Sequence, residues 1–395
     1  MPKRIIKPIL HPIKELSESG KLGGVLLICA TLFSILISNS NIGAAYLQFW
    51  HQPIGVLNLS LSIEQWVNDL LMAVFFFLVG MEIKREIVVG ELSSTKKALL
   101  PMIAALGGML VPALIYTTFN AGTENTHGWA IPTATDIAFS LGILSLLGNR
   151  VPLFLKVFLA ALAIIDDLGG ILIIAIFYTQ EIQFLYLVYA AIILFVLWLL
   201  NRFRVTSFGI YLLPMLLLWY CIFCSGVHAT IAGVLSSIFI PISKIERYEN
   251  ALHKPVNYLI LPIFALANTT IVIAGGALQH LISPLSLGIA LALFIGKPLG
   301  IFAFVYLSVK TKICTLQQQT TFRQILGLAM LAGIGFTMSL FFTSLSFKHP
   351  ESANTARLAI IIGSSLSAVG GLMVLSISLK KENASNSENT NRHKN

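Results

Sequence analysis

The stretch VFLAALAIIDDLGGILIIAIF, Val157 to Phe177, carries two adjacent carboxylates, Asp166 and Asp167, at the middle of an otherwise uncharged apolar run. A membrane span needs about 20 apolar residues, and this run supplies them. A carboxylate at the bilayer centre costs roughly 3 kcal/mol even on lenient insertion scales. Such residues face a partner or a water-filled cavity, and they mark paths for ions or protons. Neighbours on a helix point about 100° apart, so Asp166 and Asp167 cannot address one ligand from the same direction. One can face a cavity while the other meets an adjacent helix.

The remaining sequence agrees with a membrane setting. Of 395 residues, 56% are hydrophobic and only 11% are charged, which excludes a soluble multidomain enzyme. Apolar stretches predict twelve helices, at 22–39, 64–88, 97–119, 128–147, 152–177, 184–203, 207–222, 225–240, 250–274, 286–309, 323–346 and 355–379. With the N-terminus inside, every Lys and Arg except Lys297, Lys348 and Arg357 falls on the cytoplasmic side. That bias predicts both termini cytoplasmic, and it accounts for the net charge of +9 without a nucleic-acid partner. Residues 1–21 read as a basic cytoplasmic arm, 22–379 as the transmembrane domain, and 380–395 as a polar cytoplasmic tail of disordered composition. Cys29, Cys221, Cys224 and Cys314 suggest no disulfide framework, and small apolar filler is their simplest reading.

Charges inside the expected spans are few: Asp69, Asp136, Asp166, Asp167 and Lys297, with Glu82 near a cytoplasmic end. Lys297 is the only cation at depth, hence the natural partner for one of the paired aspartates. Two segments read as broken helices. In Gly128-Trp129-Ala130-Ile131-Pro132-Thr133-Ala134-Thr135-Asp136, Pro132 removes a backbone donor, and in Gly333-Ile334-Gly335-Phe336-Thr337 the glycines permit a non-helical stretch. Unwound backbone at that depth is tolerated only around a cavity or inside protein. Half-helix ends carry partial charges, so an anion such as Asp136 and a cation such as Lys297 suit them. Asp166-Asp167-Leu168 with Gly169-Gly170 is echoed by Ser364-Ser365-Leu366 with Gly370-Gly371, each one helix after a break. The echo suggests a repeat of spans three to five in spans ten to twelve, inverted because the halves begin on opposite sides.

Several strings resemble the NhaA-type Na+/H+ antiporters: VGMEIKREIVVGELSS from Val79, GWAIPTATDIAFSLGILSLLG from Gly128, ALAIIDDLGG from Ala161, SGVHATIAGV from Ser225, FIGKP from Phe294 and GIGFTMSLF from Gly333. The resemblance runs through essentially the whole chain. It implies an all-α membrane protein of about twelve transmembrane helices, with inverted repeats and two broken, crossing helices. It also implies Na+ bound at Asp167 with Asp166, and Asp166 as a proton carrier paired with Lys297. Thr135, Asp136, Gly333 and Gly335 would form the crossing. Glu82, Arg85, Glu86, Glu249 and His253 match a cytoplasmic cluster tied to pH activation, and Asp69 and His228 match positions toward the outer side. No cofactor is implied beyond the transported Na+, Li+ and H+. The segment 41–63, whose end alternates apolar and polar residues as an exposed strand would, matches a periplasmic hairpin that joins a homodimer. The setting implied is the lipid of a bacterial inner membrane.

A carboxylate that binds either Na+ or H+ makes the two compete, and antiport follows if the site alternates between sides. An intramembrane aspartyl protease would need its aspartates on facing helices, not adjacent on one. A sodium-coupled symporter of a small organic solute is the alternative, but it calls for further polar groups at depth. A passive channel would need a continuous pathway.

Overall fold

Backbone polar groups cannot be left open in hydrocarbon, so long apolar runs close their hydrogen bonds as helices. The computed structural model describes residues 6–56, 59–179, 181–273, 281–317 and 320–392, and helices make up most of it. The chain begins with α1 (Ile6–Ser38) and α2 (Gly43–His51). A hairpin of β1 (Pro53–Val56) and β2 (Leu59–Ser62) follows, antiparallel, with Pro53 opposite Ser62 and Val56 opposite Leu59. Then come α3 (Ile63–Val88), α4 (Thr95–Asn120), a 3-10 stretch Glu124–Thr133, α5 (Ile137–Gly148), α6 (Leu153–Phe177) and α7 (Phe184–Arg202). The second half holds α8 (Phe208–Cys224), α9 (Ile231–Ile238), α10 (Ile242–Pro255), α11 (Leu261–Asn268), α12 (Pro284–Lys310), α13 (Phe322–Ala332), α14 (Phe336–Ser346) and α15 (Pro350–Arg392).

Among the described residues, six helices are long and apolar enough to cross a membrane: α3, α4, α6, α7, α12 and Pro350–Leu379 of α15. Three bent pairs raise the number to as many as nine: Leu22–Ser38 with α2 (115°), Glu124–Thr133 with α5 (43°) and α13 with α14 (44°). The sequence reading divided the chain into twelve spans. Three of those are shorter or interrupted here: α8 has 17 residues, α9 has eight, and a π turn at Val256–Ile260 joins α10 to α11. The polar composition of α10 (ISKIERYENALHKP) explains why that segment does not read as a membrane helix by itself. The polar residues after Leu379 continue α15 to Arg392, since extending a helix is easier than nucleating one. Residues 1–5, 57–58, 274 and 393–395, parts of the expected arm, hairpin, ninth span and tail, lie outside the described residues.

Two sets of helices pack around the middle of the molecule. In one, α4 lies on α12, α13 and α12 lie against α15, and the two broken segments and α6 fill the interior. In the other, α9 and α10 pack on α3, while α1 packs on α11 and lies also against α5 of the first set. Without a hydrophobic drive between helices in lipid, close approach requires small residues. Gly107 and Gly300 supply it reciprocally: a Cβ on either one would run into the backbone carbonyl of the other. That contact fixes α12 against α4, and so fixes the height of Lys297, the first residue after a π turn at Ala292–Gly296.

Candidate functional site at the crossing of two broken helices

Both breaks fall where the sequence places them. The first chain leaves its 3-10 stretch after Thr133, and Asp136 caps α5 by accepting from Phe139 N at 2.9 Å through Oδ1. The second leaves α13 at Gly333 and resumes at Phe336. Gly333 and Gly335 are confined here: a Cβ on Gly333 would press on Ser367 Oγ at 2.8 Å, and one on Gly335 would meet Ala134 O at 3.1 Å.

Hydrogen bonds tie the unwound pieces together. Asp136 N donates to Ile334 O at 2.7 Å, and Asp136 Oδ2 accepts from Thr337 N at 3.0 Å and Thr337 Oγ1 at 2.5 Å. One carboxylate thus serves the N-terminal ends of α5 and α14 together, where unpaired backbone donors and helix dipoles both favour negative charge. A second linkage is nearly symmetric: Ser140 Oγ donates to Leu331 O at 2.9 Å, and Ser339 Oγ donates to Ile131 O at 2.7 Å.

The paired aspartates of α6 sit beside this crossing, both almost wholly buried. Lys297 Nζ lies 2.8 Å from Asp166 Oδ2 and donates to Thr133 O at 2.5 Å, the carbonyl end of the 3-10 stretch. Thr135 Oγ1 stands 2.7 Å from Asp166 Oδ2 and 2.9 Å from Ala332 O, and its single proton can serve one of them at a time. Lys297 is fully buried, and its partners among the described residues are Asp166 and the Thr133 carbonyl. Asp166 Oδ1 and Asp167 Oδ1 are buried with no hydrogen-bond partner among the described residues. An unmet buried acceptor costs about 1–3 kcal/mol, more when ionised, so each of these oxygens has reason to take a proton or a cation. The two oxygens differ in setting: Asp166 is held through its other oxygen by Lys297 and Thr135, whereas no side-chain hydrogen bond holds Asp167 among the described residues.

A second cluster forms where α3 meets α10. Arg85 Nε is 2.9 Å from Glu249 Oε2, Arg85 Nη1 is 3.3 Å from Glu86 Oε1, and His253 Nε2 is 3.5 Å from Glu82 Oε1. Lys84 Nζ beside it donates to Ile238 O at 2.7 Å and Ile240 O at 2.5 Å, capping the carbonyl end of α9. The structure therefore gathers Glu82, Arg85, Glu86, Glu249 and His253 into one charged group. Burial raises the Glu249 carboxyl above its ordinary range, and Arg85 pulls it the other way. Asp69 and His228 stay apart, with no hydrogen bond to the crossing among the described residues. Asp69 lies in a π turn, Val67–Leu71, with its carbonyl accepting from Trp219 Nε1 at 3.0 Å, and His228 lies in the turn before α9.

A family model described as Na+/H+ antiporter 1 matches residues 14–375. The chain belongs to that family. Relatives share about half of its residues over nearly its full length. The Na+/H+ antiporter NhaA 2 of Flavobacterium johnsoniae is 50% identical over 370 residues, 91% of each chain. The antiporter NhaA of Cytophaga hutchinsonii is 50% identical over 374 residues, 93% of this chain and 96% of the relative. That of Aliivibrio fischeri is 48% identical over 382 residues, 94% of this chain and 99% of the relative.

For this member of the antiporter family, sequence reasoning placed Thr133 and Thr337 in the broken segments without giving them a bonding role, and it missed Ser140 and Ser339 as parts of the crossing. The available signal was hydroxyl residues immediately beyond each break. It is faint because Ser and Thr also sit quietly in apolar helices by bonding their own preceding turn.

Proposed function

We propose that this antiporter-family member expels Na+, and Li+, in exchange for H+ across a bacterial inner membrane, by alternating access, with net charge moved per cycle and control by pH. The observation that carries the reading is the pair of buried, unpartnered carboxylate oxygens on Asp166 and Asp167 beside the crossing. A deprotonated Asp167 offers hard oxygen to a small monovalent cation, and a protonated one does not. Cation and proton therefore compete, and the competition couples the two fluxes. Asp166 carries a further proton: when Na+ enters, its pairing with Lys297 loosens, and on release the pairing re-forms. The names of the relatives support Na+/H+ exchange. The reciprocal contacts Gly107 with Gly300 and Ser140–Leu331 with Ser339–Ile131 support an inverted repeat. No finding favours the symporter reading.

The rest of the proposal extends from this centre. Both termini face the cytoplasm, the protein pairs as a homodimer through the 41–63 segment, and exchange serves pH homeostasis and salt tolerance. The decisive test uses reconstituted vesicles with an acid interior and a fluorescent pH probe. Added Na+ or Li+ should collapse the gradient for the parent, while Asp167→Asn should lose the response and still elute as a folded protein. Full exchange by a folded Asp167→Asn protein would overturn the ion-site assignment.

The α3–α10 cluster supplies the pH control. Glu249 precedes the apolar part of its helix, and burial raises its carboxyl above the ordinary carboxylate range while Arg85 opposes the rise. When it is protonated Arg85 keeps Glu86 alone; as pH rises the carboxyl ionises and the Arg85–Glu249 pair forms. Glu249→Gln holds the neutral form at every pH. Its exchange rate, measured from pH 6 to 9 at equal pH on both sides, should rise less steeply with pH than the parent's.

A further inference from the structure

The ion pairs among the described residues sort by the helices they join. Arg85–Glu249 ties α3 to α10 at one end of α3, with the 3.5 Å His253–Glu82 contact beside it, Arg85–Glu86 lies within α3, and Lys97–Glu91 is local in the chain. Lys297–Asp166 lies inside the set that holds the crossing. Arg357–Glu64 alone joins α15 of that set to α3 of the other, at the end of α3 opposite Arg85. Arg357 Nη2 is 2.9 Å from Glu64 Oε1, Nη1 is 3.5 Å from Thr270 Oγ1, and His51 Nδ1 is 3.5 Å from Glu64 Oε2.

Each partner belongs to a different set of helices. Glu64 sits in the first turn of α3, where a capping box of Ser62 with Gln65 fixes the helix start and an anion is favoured. Its neighbours are stapled together: Asn68 and Asn268 exchange amide bonds at 3.3 and 2.7 Å, Ser34 Oγ donates to Leu266 O at 2.8 Å, and Asn39 Nδ2 donates to Ile271 O at 2.8 Å. These bonds hold the ends of α1, α3 and α11 together. Below them the seam between the two sets is apolar, with Phe341 of α14 packed on Phe76 of α3 at 5.4 Å and Phe264 of α11 at 6.4 Å. Arg357 also leaves its Nε buried without a partner among the described residues. A permanent strut would satisfy that donor, whereas a pair that opens to water recovers it on opening.

We propose that Glu64 and Arg357 form a latch that holds the outer side of the molecule closed and must part for the site to face outward. The proposal rests on the alternating-access reading above. Breaking the latch removes a bond present in only one state, and so shifts the population toward the outward-open one.

The full chain serves as the test, with Cys29, Cys221, Cys224 and Cys314 replaced by Ser and Ala267→Cys as reporter. Ala267 is fully buried in α11, three residues before Thr270. In right-side-out membrane vesicles without a sodium gradient, a membrane-impermeant maleimide added outside should label Glu64→Gln and Arg357→Gln about fivefold faster than the parent, or more. The charge exchange Glu64→Arg with Arg357→Glu should return the rate at least halfway. Thermal melting confirms that each variant is folded, and Glu64→Gln, the smaller change, carries the test alone if Arg357→Gln does not fold. Unchanged labelling in the single variants overturns the latch. So does acceleration that the charge exchange does not slow, because lost packing alone would explain it. Labelling needs no exchange activity, so a parent that labels as expected but moves no ions would sink the proposed function and leave the latch standing.

Discussion

Asp136 shows how one side chain can join two broken helices at a single point. Its carboxylate oxygens meet Phe139 N, Thr337 N and Thr337 Oγ1, so it is occupied by the ends of two helices, unlike the open oxygen of Asp167. Asp136→Asn keeps one acceptor oxygen and turns the other into a donor facing a backbone N–H. The expected result is a lower melting temperature, corresponding to about 1–3 kcal/mol, and slowed but measurable Na+-dependent proton movement, because water and rearranged dipoles replace part of the lost field. Complete loss of exchange in a well-folded protein would instead make Asp136 an ion ligand. Residues of this kind were legible in the sequence because charge in hydrocarbon is rare enough to stand out. Ser140, Ser339 and the bonding role of Thr337 were not, since a hydroxyl among apolar residues has a local backbone partner whether or not it also crosses to another chain segment.

Breaks in helices were legible for a related reason: Pro132 and the Gly333/Gly335 pair interrupt runs that are otherwise uniform. Sequence did not reveal how the backbone fills them, with a ten-residue 3-10 stretch on one side and a three-residue gap between α13 and α14 on the other. Nor did it reveal the π turns that precede Lys297 and contain Asp69, since an extra residue in a turn leaves no compositional trace. The contact of α4 with α12 was also invisible, being made by two glycines 193 positions apart in the numbering. Gly107→Ala and Gly300→Ala should each force the helices apart, at about 1–3 kcal/mol, and tilt Lys297 away from Asp166. Gly24→Ala is the control, with nothing within 4 Å of the added carbon. Melting curves in detergent should separate the two interface variants from the control, and equal stability of all three would mean that the contact does not position α12.

At the scale of the molecule, charge asymmetry and apolar run length foretold a polytopic helical protein, while the number of crossings depends on segments such as α10, where polar and apolar residues share one helix. What the whole assembly does with charge turns on Lys297 and Asp166. Removing either alone leaves the other buried and unpaired, at about 3–5 kcal/mol, whereas removing both together is often close to neutral. Asp166→Asn with Lys297→Gln should therefore fold where the single variants struggle, and on the proposed function it should still exchange Na+ for H+ through Asp167. If the pair carries a proton in each cycle, the double variant moves less net charge, and an imposed potential drives it less. Sodium uptake into proteoliposomes, with and without a valinomycin-set potential and at equal pH on both sides, reads this directly. A parent accelerated by the potential beside an active double variant that hardly responds is the expected outcome. An equal voltage response in both would assign the pair a structural role and return the second proton to another group.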